Sequence, residues 1–374
     1  SLFKIFVFIF MSLVLLFYLC LEILFLWRIL SSHTTMSLLC NNDDWYLIDH
    51  RDFITTVYRN IFVSEKQPVS YSILAKLFSI IHTEKNQETF YNSTNAVKRK
   101  YERFIQAVPL KIKESLIKKY KLLNTSDVRD LSKQLFESTI FDLSGVNGGN
   151  NSEMPVKCRV QENEFLVPRH SRFYCGCVKE QCQKLAGSKF DLVVADPPWW
   201  NKYIRRLKNA NDKLSYSMMY NEDIAAIPVP NLLSDNCLVA VWCTNAPSNV
   251  AAVKNIIFPK WGVEYVATWY WMKVTVDLQP LCSFGSGCNK QPYERIILGK
   301  VGDIKHVPDC QMIVSVPSAL HSHKPPLIDI LSPFIKAENS QNLELFARYL
   351  LPNTTSVGYE PLKWQHISLY EEIS

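Results

Sequence analysis

Glycine is scarce in this chain, 11 in 374 residues, and nowhere does it take the spacing G-x-G-x-x-G. An ordinary dinucleotide fold needs those glycines so that its first turn can approach a pyrophosphate closely, and their lack argues against that class. The loop G-x-x-x-x-G-K-[ST], the helix motif H-E-x-x-H and the elbow G-x-S-x-G are missing too, which sets aside most common nucleotide-hydrolysing, zinc-protease and serine-hydrolase chemistry. Repeats of solenoid period are absent. With 48% hydrophobic and 20% charged residues the chain is too apolar for disorder. Cysteine is present, eleven in all, but in an odd number and without the spacing of a compact disulfide framework. Cys175, Cys177 and Cys182, with His170 nearby, lack the second ligand pair that a structural zinc site needs, so no metal is expected.

Apolar residues are unevenly spread. Residues 1–30 contain only five that are not hydrophobic (Ser1, Lys4, Ser12, Glu22 and Arg28), and Ile5–Leu21 carries no charge; that run lies at the lower limit for crossing a bilayer. Ser31-Ser32 is a poor cleavage site for a signal peptide. Met36 opens an ordinary-looking segment, MSLLCNNDDWYLIDHRDFI. The expectation is a start at Met36, with residues 1–35 a gene-model extension or, if expressed, a membrane anchor.

The formal net charge is +6, yet Lys98–Lys121 alone holds nine Lys/Arg against two acids. Tyr101, Phe104, Ile105, Leu110, Ile112, Leu116 and Ile117 recur between those bases at roughly helical spacing, which predicts helices with one basic face. That face is either solvated surface or a candidate phosphate contact. Residues 36–150 read as mainly helical, and GVNGGNNSEMP (145–155) reads as a linker. Beyond it come β-rich runs at Phe190–Ala195, Leu238–Cys243, Val263–Met272, Arg295–Leu298, Met312–Val316 and Leu343–Phe346. Helix-compatible stretches such as Ser248–Phe258 and Pro326–Ile335 separate several of them. Strands alternating with helices predict an α/β sheet covered on both faces, with a domain boundary near 150–165.

One segment carries chemistry: KFDLVVADPPWW, residues 189–200. Leu192–Ala195 predicts a buried parallel strand, and two prolines must end it. Asp196 then stands at the carboxyl end of a central strand, where open α/β sheets bind ligands. The Asp196 carboxylate and the Pro197 carbonyl are acceptors, and proline adds no competing N–H. Such a pair suits an exocyclic amine of a nucleobase, a poor nucleophile until its two N–H groups are held and its lone pair is turned out of the ring plane. Trp199 offers an aromatic face for a base taken out of its stack. The plainer alternative is an Asp that caps a loop beside two core tryptophans.

ADPPW (195–199) resembles the catalytic signature of the MT-A70 family of S-adenosylmethionine-dependent adenine-N6 methyltransferases. NKYIRRLKNANDKLSYSMM (201–219) is similar to the basic loop that follows that signature. IPVPNLLSDNCLVAVWCTN (227–245), WYWMKVT (269–275), KQPYERIILGK (290–300), MIVSVPSALHSHKPPL (312–327) and LELFARYLLP (343–352) continue in family order, so the resemblance covers about 165–374. It implies a Rossmann-like methyltransferase fold in circularly permuted motif order as the catalytic domain, with S-adenosyl-L-methionine as cofactor. It also implies a nucleic-acid partner, RNA first and DNA second, and a nuclear location; a membrane partner is not expected.

Carried over residue by residue, the resemblance makes Asp196, Pro197, Pro198 and Trp199 catalytic. Cofactor contacts fall to Asp196, to Lys324 facing the cofactor carboxylate, to Phe346 and Arg348 along ribose and methionine, and to Glu360 as acceptor for ribose hydroxyls. Substrate contacts fall to Trp199, Asn201, Lys202, Arg205, Arg206, Tyr216, Lys273 and His323. In two places the chain departs from the family. Tyr359 stands where an Asn is usual, so that stacking replaces an amide contact to the cofactor adenine. Cys177 stands where an Asp is usual, leaving the backbone of Cys177 and Val178 to serve. The subgroup is associated with N6 methylation of 2′-O-methyladenosine in small nuclear RNA (U2), and with adenine in DNA. A non-catalytic RNA-binding scaffold of the same family is the alternative.

Overall fold

The computed structural model describes residues 37–61, 68–80, 96–120, 125–200, 218–285 and 291–373. The expectations for residues 1–35 fall outside these; among the described residues no helix is long and apolar enough to cross a membrane. Leu38–Asn41 (β1) and Trp45–Ile48 (β2) form a hairpin that leads into helix α1, His50–Val57. Asp49 caps that helix by accepting from the Asp52 N–H at 3.0 Å. Next come β3 (Ser70–Ile73) and three helices, α2 (Ala96–Ala107), α3 (Leu110–Lys119) and α4 (Thr125–Ser138). Then follow β4 (Asn147–Asn150), β5 (Val156–Val160), β6 (Asn163–Val167), β7 (Ser171–Cys175), α5 (Val178–Lys184) and β8 (Phe190–Ala195). The remainder alternates: α6 (Asn221–Ala225), β9 (Leu233–Cys243), α7 (Pro247–Ala252, running on through a π turn at Val253–Ile257 and Phe258–Trp261), β10 (Glu264–Lys273), β11 (Tyr293–Val301), β12 (Met312–Ser315), α8 (Ile328–Leu331), β13 (Asn342–Leu345), β14 (Thr354–Gly358) and β15 (Tyr370–Ile373).

Eleven strands share one sheet in the order β1-β2-β12-β10-β11-β9-β8-β13-β14-β7-β4. From β9 to β7 the pairing is parallel throughout, and β10 runs parallel to β12. β11 is antiparallel to both its neighbours. Alternation of side chains explains the layers. Leu192 and Val194 join Leu238, Ala240 and Trp242 in one core, while Val193 and Ala195 join Val239, Val241, Leu343, Leu345 and Val357 in the core on the opposite face. A strand buried on both faces reads as an unbroken apolar run. Each buried Val or Leu contributes about 1.5–3 kcal/mol, enough to make β8 a rigid mount for the Asp-Pro-Pro-Trp turn at its end. This is the expected Rossmann-like α/β architecture, and β13 and β14 pair beside β8 although they come late in the chain.

The N-terminal stretch differs from expectation. Met36–Ser374 form one compact unit, and the boundary expected near 150–165 falls inside it. β2 pairs in parallel with β12, and β3 pairs with the C-terminal strand β15. The expected linker at 145–155 contains β4, which adds to β7 as an antiparallel edge strand. These strands are four residues long, too short to show a period.

Candidate active site

The last rung of the β8–β13 ladder is the Asp196 N–H, donated to the Leu345 carbonyl at 3.2 Å. Pro197 has no N–H, so the ladder stops and the Asp196 side chain emerges at the carboxyl edge of the sheet. The motif then turns back on itself. Trp199 N–H donates to the Pro197 carbonyl at 2.9 Å, and Met219 N–H donates to the Pro198 carbonyl at 2.9 Å. The Trp199 indole is buried and donates to the Trp242 carbonyl at 2.9 Å. One lone pair of the Pro197 carbonyl is therefore used inside the turn and the second remains.

Around Asp196 the structure gathers charges that are far apart in sequence. Lys324 Nζ lies 3.8 Å from Asp196 Oδ1, and Arg348 Nη1 lies 3.8 Å from Asp196 Oδ2. Lys324 also hydrogen-bonds Glu294, which is shared with Lys273. On the other side Arg348 Nε lies 3.9 Å from Glu360 Oε2, and buried Lys363 donates to Glu360 Oε1 at 2.8 Å. The result is an alternating row, Lys363, Glu360, Arg348, Asp196, Lys324, Glu294, Lys273. Strand direction explains it: β8, β10 and β13 end at this edge, whereas antiparallel β11 begins there and so brings in Glu294. Burial pushes the Asp196 carboxyl up, against the opposing pull of Lys324 and Arg348. Burial also acts upward on Glu294, but Lys324 and Lys273 outweigh it and hold that carboxyl at about 2. For Lys324, Asp196 and Glu294 overcome the cost of burial and raise its pKa.

Two cavities meet at this edge. The larger, of about 1330 Å³, is lined by Asp196, Pro197, Pro198, Trp199, Lys273, Lys324 and Arg348 among others. The smaller, of about 320 Å³, is lined by Cys177, Val178, Phe346, Arg348, Tyr359 and Glu360. Pro198, Met218 and Arg348 belong to both walls. The smaller cavity suits the nucleoside part of S-adenosylmethionine: two aromatic rings, a carboxylate for a diol and backbone at the start of α5. Close backbone approach is built in. Phe346 adopts φ 64°, and a Cβ on Gly358 would stand 2.9 Å from the Ala347 carbonyl oxygen, so only glycine leaves this wall its shape. Lys324, on the wall of the larger cavity beside Asp196, is placed for the carboxylate end. Burial and the neighbouring Cys177 thiol push the Tyr359 phenol up.

The structure thus brings together ten of the residues singled out from the sequence: Cys177, Val178, Asp196, Trp199, Lys273, Lys324, Phe346, Arg348, Tyr359 and Glu360, with Pro197 and Pro198 between them. His323 is the exception. Its ring is buried against His50 and Tyr349, at 4.8 Å from each, and pairs with the Ser318 hydroxyl. In its segment His321 and Lys324 reach the cavity and His323 turns into the core, because neighbouring residues of a tight turn cannot all face one way. Asn201, Lys202, Arg205, Arg206 and Tyr216 lie outside the described residues. Glu294 and Lys363 were missed by sequence reasoning; a lone Glu on a strand and a lone Lys near the C-terminus carry no local signal.

The basic helices are largely occupied with structure. Lys100 is 9% exposed and donates to Asp44 Oδ1 and the Cys310 carbonyl at 2.9 and 2.6 Å. Lys119 bridges Asp49 and Asp52, Arg103 lies 3.7 Å from Asp44, and Lys113 donates to the Ile105 carbonyl.

A largely parallel sheet whose carboxyl edge carries Asp-Pro-Pro-Trp beside two adjoining cavities has the architecture of a Rossmann-like methyltransferase fold. Residues 190–360 match the MT-A70 family model. The chain is 36% identical over 254 residues to the mouse (Mus musculus) N(6)-adenine-specific methyltransferase METTL4, covering 64% of this chain and 50% of that protein. It is 39% identical over 213 residues to a DNA N6-methyl methyltransferase of Caenorhabditis elegans, covering 54% and 55%. The N6-methyladenosine RNA methyltransferase MTA1 of Cryphonectria parasitica is 35% identical over 214 residues, covering 55% and 62%. The chain spans about half the length of the curated relatives it matches.

Proposed function

We propose that this chain is an S-adenosylmethionine-dependent N6-adenine methyltransferase of nucleic acid, with RNA first and DNA second, and with N6 of 2′-O-methyladenosine in small nuclear RNA (U2) as its target in the nucleus. The observation that carries this reading is the position of Asp196-Pro197-Pro198-Trp199 on the wall of the larger cavity, with Pro198 lining the smaller one as well. When bound, S-adenosylmethionine supplies an electrophilic methyl group. Glu360, held by Lys363, would accept from the ribose hydroxyls, Tyr359 would stack on the adenine, Phe346 and Arg348 would line ribose and methionine, and Lys324 would face the carboxylate. In the larger cavity Asp196 and the free lone pair of the Pro197 carbonyl accept the two N–H groups of the exocyclic amine. The nitrogen lone pair is thereby turned out of conjugation and aimed at the shared wall. After transfer the nitrogen carries a surplus proton, and Asp196, its basicity raised by burial, takes it up. Most of the catalytic effect is positioning in a site drained of water.

Tritiated-methyl incorporation into capped RNA, uncapped RNA and DNA, using the full chain and a form that starts at Met36, tests this reading. Incorporation at adenine N6 is expected, and greatest when the target is 2′-O-methylated. A second reading, a scaffold that binds RNA without catalysis, draws on Cys177 and Tyr359 at the adenine end of the small cavity. Calorimetry separates the two, since a scaffold shows no heat with S-adenosylmethionine in either wild type or Tyr359→Asn.

A further inference from the structure

Trp200 and Tyr220 play no part in that mechanism, yet both line the Asp196 cavity. Backbone hydrogen bonds set them side by side. Met219 N–H donates to the Pro198 carbonyl at 2.9 Å, and Trp200 N–H donates to the Met219 carbonyl at 3.2 Å. The Tyr220 carbonyl is fixed at the start of α6, accepting from the Asp223 and Ile224 N–H groups at 3.1 Å each. The two rings are stacked, with centroids 6.2 Å apart and 18° between their planes. Tyr220 is nevertheless 59% exposed, so beside the indole much of the phenol ring stays open to solvent.

A pair kept only for packing would gain more by burying the phenol, since the apolar effect scales with area removed from water. The surroundings favour a base over a phosphate. Asn221 and Glu222 stand on the Tyr220 side of the cavity, and Arg295, held by the Asn245 side chain at 3.2 Å, also lines it. Among the described residues, a polyanionic strand crossing the cavity therefore finds a cation at Arg295 and, at Tyr220, a base-sized aromatic ring.

We infer that Tyr220, backed by Trp200, is a stacking subsite for the nucleobase adjacent to the target adenine, so that the substrate is single-stranded at that step. This rests on the methyltransferase reading and extends it. Because every base has a π face, the subsite tolerates sequence but requires that the neighbouring base be present and unpaired. Its rigid mounting on zipped backbone lowers the ordering cost of binding.

The test compares single-stranded oligonucleotides carrying either a normal base or an abasic site next to the target. With the full chain, the abasic site is expected to raise KM about 10-fold or more, the effect of losing one base–aromatic stack. Tyr220→Ala raises KM for the intact strand by the same factor and is indifferent to the abasic site, while Tyr220→Phe behaves as wild type. Equal losses of Tyr220→Ala on intact and abasic strands would show that the ring only braces the stem, and would overturn the proposal. A 2-aminopurine at the neighbouring position gives a readout independent of turnover. Its fluorescence is quenched on binding to wild type and not to Tyr220→Ala. Quenching without methylation would refute the methyltransferase reading alone; absence of quenching in wild type would refute the subsite.

Discussion

Positive charge gathers in two places among the described residues, and the two are built in opposite ways. Along α2 and α3 the cations are dense in sequence, and many are spent on holding helices to the body of the protein. Lys100 reaches Asp44 and a backbone carbonyl, and Lys119 reaches Asp49, whose other oxygen accepts from Tyr120 at 2.5 Å. Around Asp196 the cations Lys273, Lys324, Arg348 and Lys363 are solitary in sequence and become dense only in space. There they alternate with Asp196, Glu294 and Glu360, so each buried charge has a partner and the row as a whole keeps one surplus positive charge. A charge run along the chain need not be a binding surface, and a binding surface need not be a charge run.

Asp196→Ala is the sharpest way to break this contrast. It removes the acceptor and leaves Lys324 and Arg348 facing each other, and methyl transfer is expected to fall by about 10²–10⁴-fold. Single-turnover incorporation measures it, and wild-type turnover in a folded mutant would overturn the mechanism. Glu294→Gln comes next. Breaking a buried pair by removing one partner costs about 3–5 kcal/mol, and here two lysines lose their carboxylate, so both melting temperature and S-adenosylmethionine affinity should drop. A mutant with unchanged affinity would reduce the alternating row to packing.

The third prediction concerns pH. His50 on α1 and His323 beside Lys324 are both buried, and burial holds His50 at about 3 and His323 well below the ordinary imidazole value. Their folded pKa values lie under the unfolded value, so the unfolded chain binds more protons as pH falls. Their contribution is complete above about pH 6.5 and is lost on acidification, at up to ~1.4 kcal/mol per pH unit for each histidine. Urea unfolding at pH 7.5, 6 and 5 reads that slope, and His50→Phe should remove one proton's worth of it; an unchanged slope would place the titration elsewhere.

Smaller effects separate the two uses of cations on the helices. Lys100→Met should destabilise by about 1.5–3 kcal/mol, the worth of a hydrogen bond from a charged donor, with no change in RNA affinity. Arg99, Lys111 and Lys118 form no ion pair among the described residues. Changing all three to Gln should leave stability within about 0.5 kcal/mol. If this face meets phosphate, the same change lowers the salt slope of RNA binding by about one for each phosphate no longer neutralised; an unaltered slope would make it solvated surface.

The six strands anticipated from the sequence all form: Leu192–Ala195 and Leu238–Cys243 are unbroken apolar runs, and even the four-residue strands β12 and β13 are buried throughout. Asp196 was legible for the same reason: two prolines after a buried strand leave one place for the next side chain. The four-residue strands β1 to β4 were not, since each is defined by a partner far along the chain. His323 was misjudged because its motif predicts a segment and not which of its side chains turns inward.

By itself the sequence determined where the central strands run, where they stop, and that an acceptor-only turn ends the first of them. Those features come from local chemistry, namely side-chain periodicity and the missing N–H of proline. Only the tertiary structure decided that the N-terminal strands join the same sheet, that Glu294 arrives on an antiparallel strand to bind two lysines, and that Tyr220 stays largely exposed beside Trp200. Those depend on which distant segments pair and in which direction, and no window of neighbouring residues contains that information.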